Sequence, residues 1–249
     1  MSIREQMETY WEGEAQLYND SIRKELKGFE RKAWLDVILQ HAPEKTVLDV
    51  LDIGCGPGFF SIILAEAGHR VTGIDCTNNM LAAARRNASR EGVAPDFRKM
   101  DSHRLDFDAE RFDLIVCRNL TWTLDDPAAA YAEWFRVLRP GGRLLIFDAN
   151  WNRHLVDDEI RLQREENLKA YAERGFGEPP KHEDGEESDR LSRLLPLTCE
   201  WRPAWDVEAM TDLGFAKVFT AENLNERLLD ERQQVLNRST PMFMAGAEK

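Results

Sequence analysis

The residues best suited to chemistry lie in two short stretches. The apolar run 47–53 contains Asp52 and opens into Gly54, Gly56 and Gly58, while a second apolar run, 71–74, closes on Asp75. Glycine lets a backbone approach a ligand closely, and one carboxylate can accept hydrogen bonds from two neighbouring hydroxyls, so the pattern suits a nucleoside held at strand ends. The spacing narrows the choice. A dinucleotide turn wants G-x-G-x-x-G, and here Phe59 occupies the place of the third glycine. No G-x-x-x-x-G-K-[ST] occurs, which excludes a P-loop. Further along, the run 112–117 delivers Asn119 and Trp122, and the run 143–148 delivers Asp148, Asn150, Trp151 and His154. Asn119 can hydrogen-bond a ligand, Trp122 offers an aromatic face to a cation, and His154 is a candidate base because its ordinary pKa is about 6.5. The alternatives are a turn asparagine, a packing tryptophan and an exposed loop histidine.

These residues need a frame that brings strand ends together. Strands are predicted at 47–53, 70–75, 96–100, 112–117 and 143–148, alternating with helices at 59–67, 78–91 and 128–138. Gly68 and Gly92 stop two of the helices, and Thr77 is placed to N-cap the second. Such alternation calls for parallel strands joined by right-handed helical crossovers, an α/β fold with its crevice at the carboxyl ends of the strands. Residues 1–40 form an amphipathic helical cap, with Trp11, Ala15, Tyr18 and Ile22 at three- and four-residue steps. After 148 the pattern breaks into a polar helix at 157–174 and a loop at 175–188. It resumes with a helix at 207–213, a strand at 215–220, a helical stretch at 224–238 and a strand at 242–247.

Composition removes several classes of function. The 249 residues suit one domain with an added segment, and 33 basic against 45 acidic residues give a net charge of −12, which repels a phosphate backbone. Nucleic acid is not an expected partner. The charged amino terminus lacks a signal-peptide core, and no apolar run approaches the roughly 20 residues of a membrane helix, so a cytoplasmic protein is expected. Cys55, Cys76, Cys117 and Cys199 show no C-x-x-C spacing and read as reduced thiols. Cys55, Cys76 and Cys117 near strand ends could together hold a soft metal or metalloid, although small-hydrophobe packing is the simpler role and no metal is expected.

The glycine turn at 52–58, Asp75 at the end of the second strand, the segment 75–81 (D-C-T-N-N-M-L) and the turn 138–142 (L-R-P-G-G) together resemble the class I S-adenosylmethionine-dependent methyltransferases of small molecules. The resemblance implies a Rossmann-like, seven-stranded, mostly parallel sheet with helices on both faces, an antiparallel last strand and a helical lid inserted at 151–205. It implies S-adenosylmethionine as cofactor, with Asp52, Gly54, Cys55, Gly56 and Gly58 beneath its methionine part and Asp75 and Cys76 at the ribose. Met80 would lie against the adenine, Asp101 and Ser102 at the adenine amino group, and Asn119 beside the reacting end. The segment 11–18 is similar to a W-x-x-x-A-x-x-Y-D stretch folded over the cofactor, with Asn19 in place of the usual acid. It puts Tyr18 at the cofactor and Trp11 near the acceptor, with aromatic core packing as the alternative, while their place at strand carboxyl ends puts Trp122, Asp148, Asn150, Trp151 and His154 on the acceptor side. The acidic run 183–189 would face solvent on the lid, and the stretch 224–238 would decorate the surface or support a homodimer. Two other functions fit less well. A cofactor-binding domain without turnover is one, and an NAD(P)-dependent oxidoreductase is the other, disfavoured by the glycine spacing and by the absence of Tyr-x-x-x-Lys.

Overall fold

The computed structural model describes residues 1–179 and 185–249. In chain order the helices α1 (Ile3–Glu25) and α2 (Glu30–His41) precede β1 (Asp49–Ile53), α3 (Phe59–Glu66), β2 (Arg70–Asp75), α4 (Asn78–Glu91), β3 (Asp96–Lys99) and β4 (Phe112–Arg118). Then come α5 (Pro127–Val137), β5 (Leu138–Asp148), α6 (Asp158–Glu173), α7 (Gly185–Ser192) and α8 (Ala204–Asp212). The chain closes with β6 (Lys217–Ala221), α9 (Asn225–Leu228), α10 (Glu231–Leu236) and β7 (Phe243–Glu248). The sheet has seven strands in the order β3-β2-β1-β4-β5-β7-β6. All neighbours pair in parallel except β7, which runs antiparallel to both β5 and β6.

Strand order reverses between β1 and β4, and that reversal opens a crevice at the carboxyl ends. Register sets what borders it: Asp52 pairs with Gly73 on one side and Val116 on the other. Gly54, Asp75 and Asn119 therefore leave neighbouring strands at one level.

The central strands are apolar on both faces because helices cover both. Val50, Leu114, Val116, Leu145 and Phe147 join one core with α2 and α3, while Leu51, Ile53, Ile115, Cys117, Leu144 and Ile146 join the other with α5. Trp34 of α2 is fully buried and meets Phe60 and Phe147 edge-on, at centroid distances of 5.1 and 5.2 Å. A third, smaller apolar cluster joins α1 to α7 through Met7, Tyr10, Leu191 and Leu195.

Three local expectations are corrected. Thr77 precedes α4 without capping it by its side chain; its hydroxyl donates to Asp75 Oδ1 at 2.7 Å, and the N–H of Asn79 is met by Glu12 Oε2 of α1 at 3.0 Å. The stretch 224–238 is two short helices, because Leu229 is extended and Asp230 starts a new capping box with Gln233. Of the acidic run 183–189, the first two residues lie outside the described part, and the rest belong to α7, where Glu187 pairs with Arg190 at 2.6 Å. Among the described residues no helix is long and apolar enough to cross a membrane.

Candidate functional site

The glycine turn is tight because its geometry needs it. Gly54, Gly56 and Gly58 have φ of 64°, 51° and 91°, a left-handed region that side chains rarely tolerate. Space is short as well: a Cβ on Gly54 would lie 2.7 Å from Leu120, and one on Gly56 would lie 3.4 Å from the Tyr18 ring. Behind the turn, Asp52 Oδ2 accepts hydrogen bonds from Ser61 N at 2.9 Å and Ser61 Oγ at 2.6 Å, which fastens the first turn of α3 to β1. Asp52 faces this bond and does not line the cavity in front of the turn.

Asp75 lines that cavity. Its Oδ2 accepts from Gly56 N at 2.9 Å, and its Oδ1 accepts from Thr77 N at 2.9 Å and Thr77 Oγ at 2.7 Å. Burial raises its pKa, against the pull of those donors. Burial also pushes Asp52 up to about 6 and the Cys76 thiol up to about 12.

The cavity, of about 160 Å³, brings together much of the candidate set: Trp11, Tyr18, Gly54, Gly56, Asp75, Cys76, Met80, Asp101, Ser102 and Asn119 all line it. Cys55 and Gly58 belong to the turn but not to the lining. Asn119 follows β4 with a φ of 55°, and its Oδ1 is buried without a hydrogen-bond partner. Helix α1 crosses the opening. Arg4 reaches from its first turn to Asp101 at 2.8 Å and Asp125 at 2.9 Å, and Lys99 reaches Glu8 at 2.8 Å. Burial opposes ionisation of Asp101, but the His103 backbone and ring together with Arg4 hold its pKa below the usual range.

Other candidates are placed elsewhere. Trp122 does not line this cavity; it packs edge-on against Trp11, with centroids 6.1 Å apart, and borders a smaller pocket with Asn150, Trp151, Asn152 and Arg202. Asn150 is tied to the Arg202 carbonyl at 2.8 Å, and Trp151 Nε1 donates to Asp148 Oδ1 at 2.8 Å, so both serve the wall of the fold here. Asp148 is fully buried and also accepts from Thr121 Oγ at 2.5 Å and Arg202 Nη1 at 2.9 Å. His154 lies outside the main cavity, bonded to the Trp151 carbonyl and to Arg164. Burial, then the Arg164 charge, lowers its pKa to about 4. Cys55 and Cys117 are buried and Cys76 half-buried, and among the described residues no three His, Cys, Asp or Glu side chains gather as a metal site.

The sequence did not point to Arg4, His103, Arg118 or Arg202. Arg118 is buried at the cavity floor, 2.6 Å from Glu25 and stacked near the rings of Trp34, Phe59 and Phe60 at 5.1, 4.6 and 5.4 Å. Its partners come from α1, α2 and α3, and no local spacing announces such a meeting.

Asp52 gives a pH test of the turn's foundation. A raised folded pKa means that the native state binds the proton more tightly than the unfolded chain. Its stability contribution is therefore fully present below about pH 4, and it is lost as pH rises through about 6. The shift amounts to roughly 2–3 kcal/mol. Asp52→Asn should flatten that part of the stability profile, so the difference in urea midpoint between variant and wild type should change across pH 4 to 7. A constant difference would remove Asp52 as its source.

Residues 51–146 match the family model described as a methyltransferase domain. A ubiquinone biosynthesis O-methyltransferase of Pseudomonas aeruginosa is 34% identical over 123 residues, which are 49% of this chain and 51% of that protein. The chain thus spans about half the length of the curated relatives it matches. In fold it resembles a phosphoethanolamine N-methyltransferase of Haemonchus contortus solved with S-adenosyl-L-methionine, at 20% identity and a TM-score of 0.60, over 86% of this chain and 51% of that one. It also resembles a [4+2]-cyclase, at 16% identity and a TM-score of 0.57, over 88% and 80% of the two chains.

Proposed function

We propose that this chain, which carries a class I S-adenosylmethionine-dependent methyltransferase domain, binds S-adenosylmethionine at the carboxyl ends of β1, β2 and β4. There it moves the methyl group to a small-molecule acceptor. The observation that carries the proposal is Asp75, a half-buried carboxylate held by Gly56 and Thr77 at the wall of a cavity bordered by a turn whose glycines take left-handed φ. That arrangement fits a ribose diol on the carboxylate and the methionine part over Gly54 and Gly56. Met80, Asp101 and Ser102 line the same cavity, and on this reading they take the adenine. The cofactor supplies an electrophilic methyl on a sulfonium. An in-line displacement then asks the protein for alignment and for exclusion of water. Tyr18 over Gly56 and Arg4 bridging Asp101 and Asp125 serve both needs by holding α1 across the opening.

His154 does not line this cavity, and alignment and exclusion of water are the roles this reading gives the lining residues. The relatives' O-methyltransferase activity makes an oxygen acceptor the first to test. Free cysteines fit a reducing compartment, and we place the protein in the cytoplasm. Calorimetric titration with S-adenosylhomocysteine tests the cofactor assignment. A saturable single site with micromolar affinity is expected, and no heat at millimolar ligand would overturn it.

A further inference from the structure

We infer that a second site, at the edge of the sheet opposite the cofactor cavity, takes a dianionic phosphate group, free or as the ester of a small molecule. Asp49, Arg70, Asp96 and Phe112 begin β1, β2, β3 and β4, so the amino ends of four parallel strands meet there. An open pocket of about 510 Å³ lies at that edge, bordered by Arg70, Arg111, Val93, Pro95 and Phe112 and by the carboxylates of Asp49 and Asp96. The five residues of β1, on the order of 15 Å of strand, separate it from the glycine turn. It shares no lining residue with the cofactor cavity, and the inference is independent of the methyl-transfer proposal.

Charge argues for an anion. The chain carries a net charge of −12, yet here Lys45, Arg70, Arg111 and Arg139 converge on Asp49 and Asp113. Four cations thus share two carboxylates. Asp96, the other carboxylate of the pocket wall, is matched by Arg98 at 2.6 Å. The cluster is a local positive spot on an acidic protein, and such a spot concentrates anions.

Geometry argues for phosphate. Arg70 Nε donates to Asp49 Oδ1 at 2.7 Å, and Arg111 Nη1 stands 3.8 Å from the same oxygen. One carboxylate oxygen therefore gathers both guanidinium groups at the pocket. Arg111 is steadied further by the Phe112 ring, whose centroid lies 5.5 Å from its Cζ. Among the described residues the Arg70 Nη groups and the Arg111 guanidinium donate no hydrogen bond. A guanidinium presents its N–H groups as a planar fork that matches two phosphate oxygens, and two neighbouring forks suit a group with two charges. Val93, Pro95 and Phe112 give the pocket an apolar side on which the body of an ester can rest.

Inorganic phosphate and phenyl phosphate, titrated calorimetrically into the full chain at low ionic strength, test the site. Saturable binding at millimolar or lower concentration is expected. It should weaken at physiological salt, because the two arginine side chains are 63% and 49% exposed. Tighter binding of phenyl phosphate identifies an ester as the ligand, and equal affinities identify the free ion. Arg111→Gln should weaken binding about tenfold by removing one fork, while Arg111→Lys, which keeps the charge alone, should lose less. Arg161→Gln makes the same change of charge on α6 and should bind like wild type. No saturable binding of either probe, binding unchanged by Arg111→Gln, or an equal loss with Arg161→Gln would overturn the site.

Discussion

Asp75→Ala should leave the protein folded while lowering its affinity for S-adenosylhomocysteine by roughly a hundredfold or more. Two hydrogen bonds from a diol to one half-buried carboxylate are each worth about 1.5–3 kcal/mol when the acceptor is charged. The loss extends beyond the diol, because the same carboxylate holds Gly56 N and Thr77. Without it the glycine turn loses its fixed hydrogen-bond partner on β2. Folding should tolerate the change, since burial already disfavours the ionised form of Asp75 in the free protein. Asp75→Asn keeps one acceptor oxygen and should lose less, on the order of tenfold. Calorimetry for affinity and circular dichroism for folding check both variants. If Asp75→Ala binds like wild type, the ribose assignment is wrong.

Arg202→Ala has the largest expected effect on stability. Its side chain is 1% exposed and lies between Asp148 and Asp206, both 0% exposed, with Nη2 at 2.6 Å from Asp206 and Nη1 at 2.9 Å from Asp148. Removing the cation leaves two carboxylates inside the protein, helped only by neutral donors such as Tyr131, Thr121 and Trp151. Breaking a buried pair in this way costs about 3–5 kcal/mol, which for a chain of this size lowers Tm by roughly 10 °C. Asp206→Asn in the same background should recover part of the loss, because one of the stranded charges is then gone. A melting temperature within about 2 °C of wild type would show that the network is dispensable. Asp148 also accepts from Thr121, Trp122 N and Trp151, so the segments after β4 and β5 are tied to one carboxylate.

The contrast between Asp75 and Asp148 shows what the sequence could and could not reveal. Asp75 was legible because its work is local: it ends a strand, follows a glycine turn by a fixed spacing and binds residues within reach of both. The parallel sheet, its crevice and part of the cavity lining followed from the same regularity, since apolar runs on parallel strands must be covered on both faces. Asp148 also ends a strand and looked like a ligand contact by the same logic. It is instead a buried hub, because Arg202 comes from 54 positions further on, after the segment whose pattern is least regular. His154 failed for a related reason: nothing nearby in the chain shows that Arg164, one helix away, will be its partner. Arg118 sits next to Asn119 in the sequence yet acquires its role only when Glu25 and Trp34 arrive from the amino-terminal helices.

The central claim is transfer of a methyl group. Binding does not establish it, because a [4+2]-cyclase shares this fold. The direct measurement incubates the purified full chain with S-adenosylmethionine carrying an isotopically labelled methyl and a small-molecule extract, and follows both products by mass spectrometry. A labelled small molecule formed in equal amount with S-adenosylhomocysteine, and absent with Asp75→Ala, is the expected result. Tight cofactor binding with no labelled product above the enzyme-free control would contradict it.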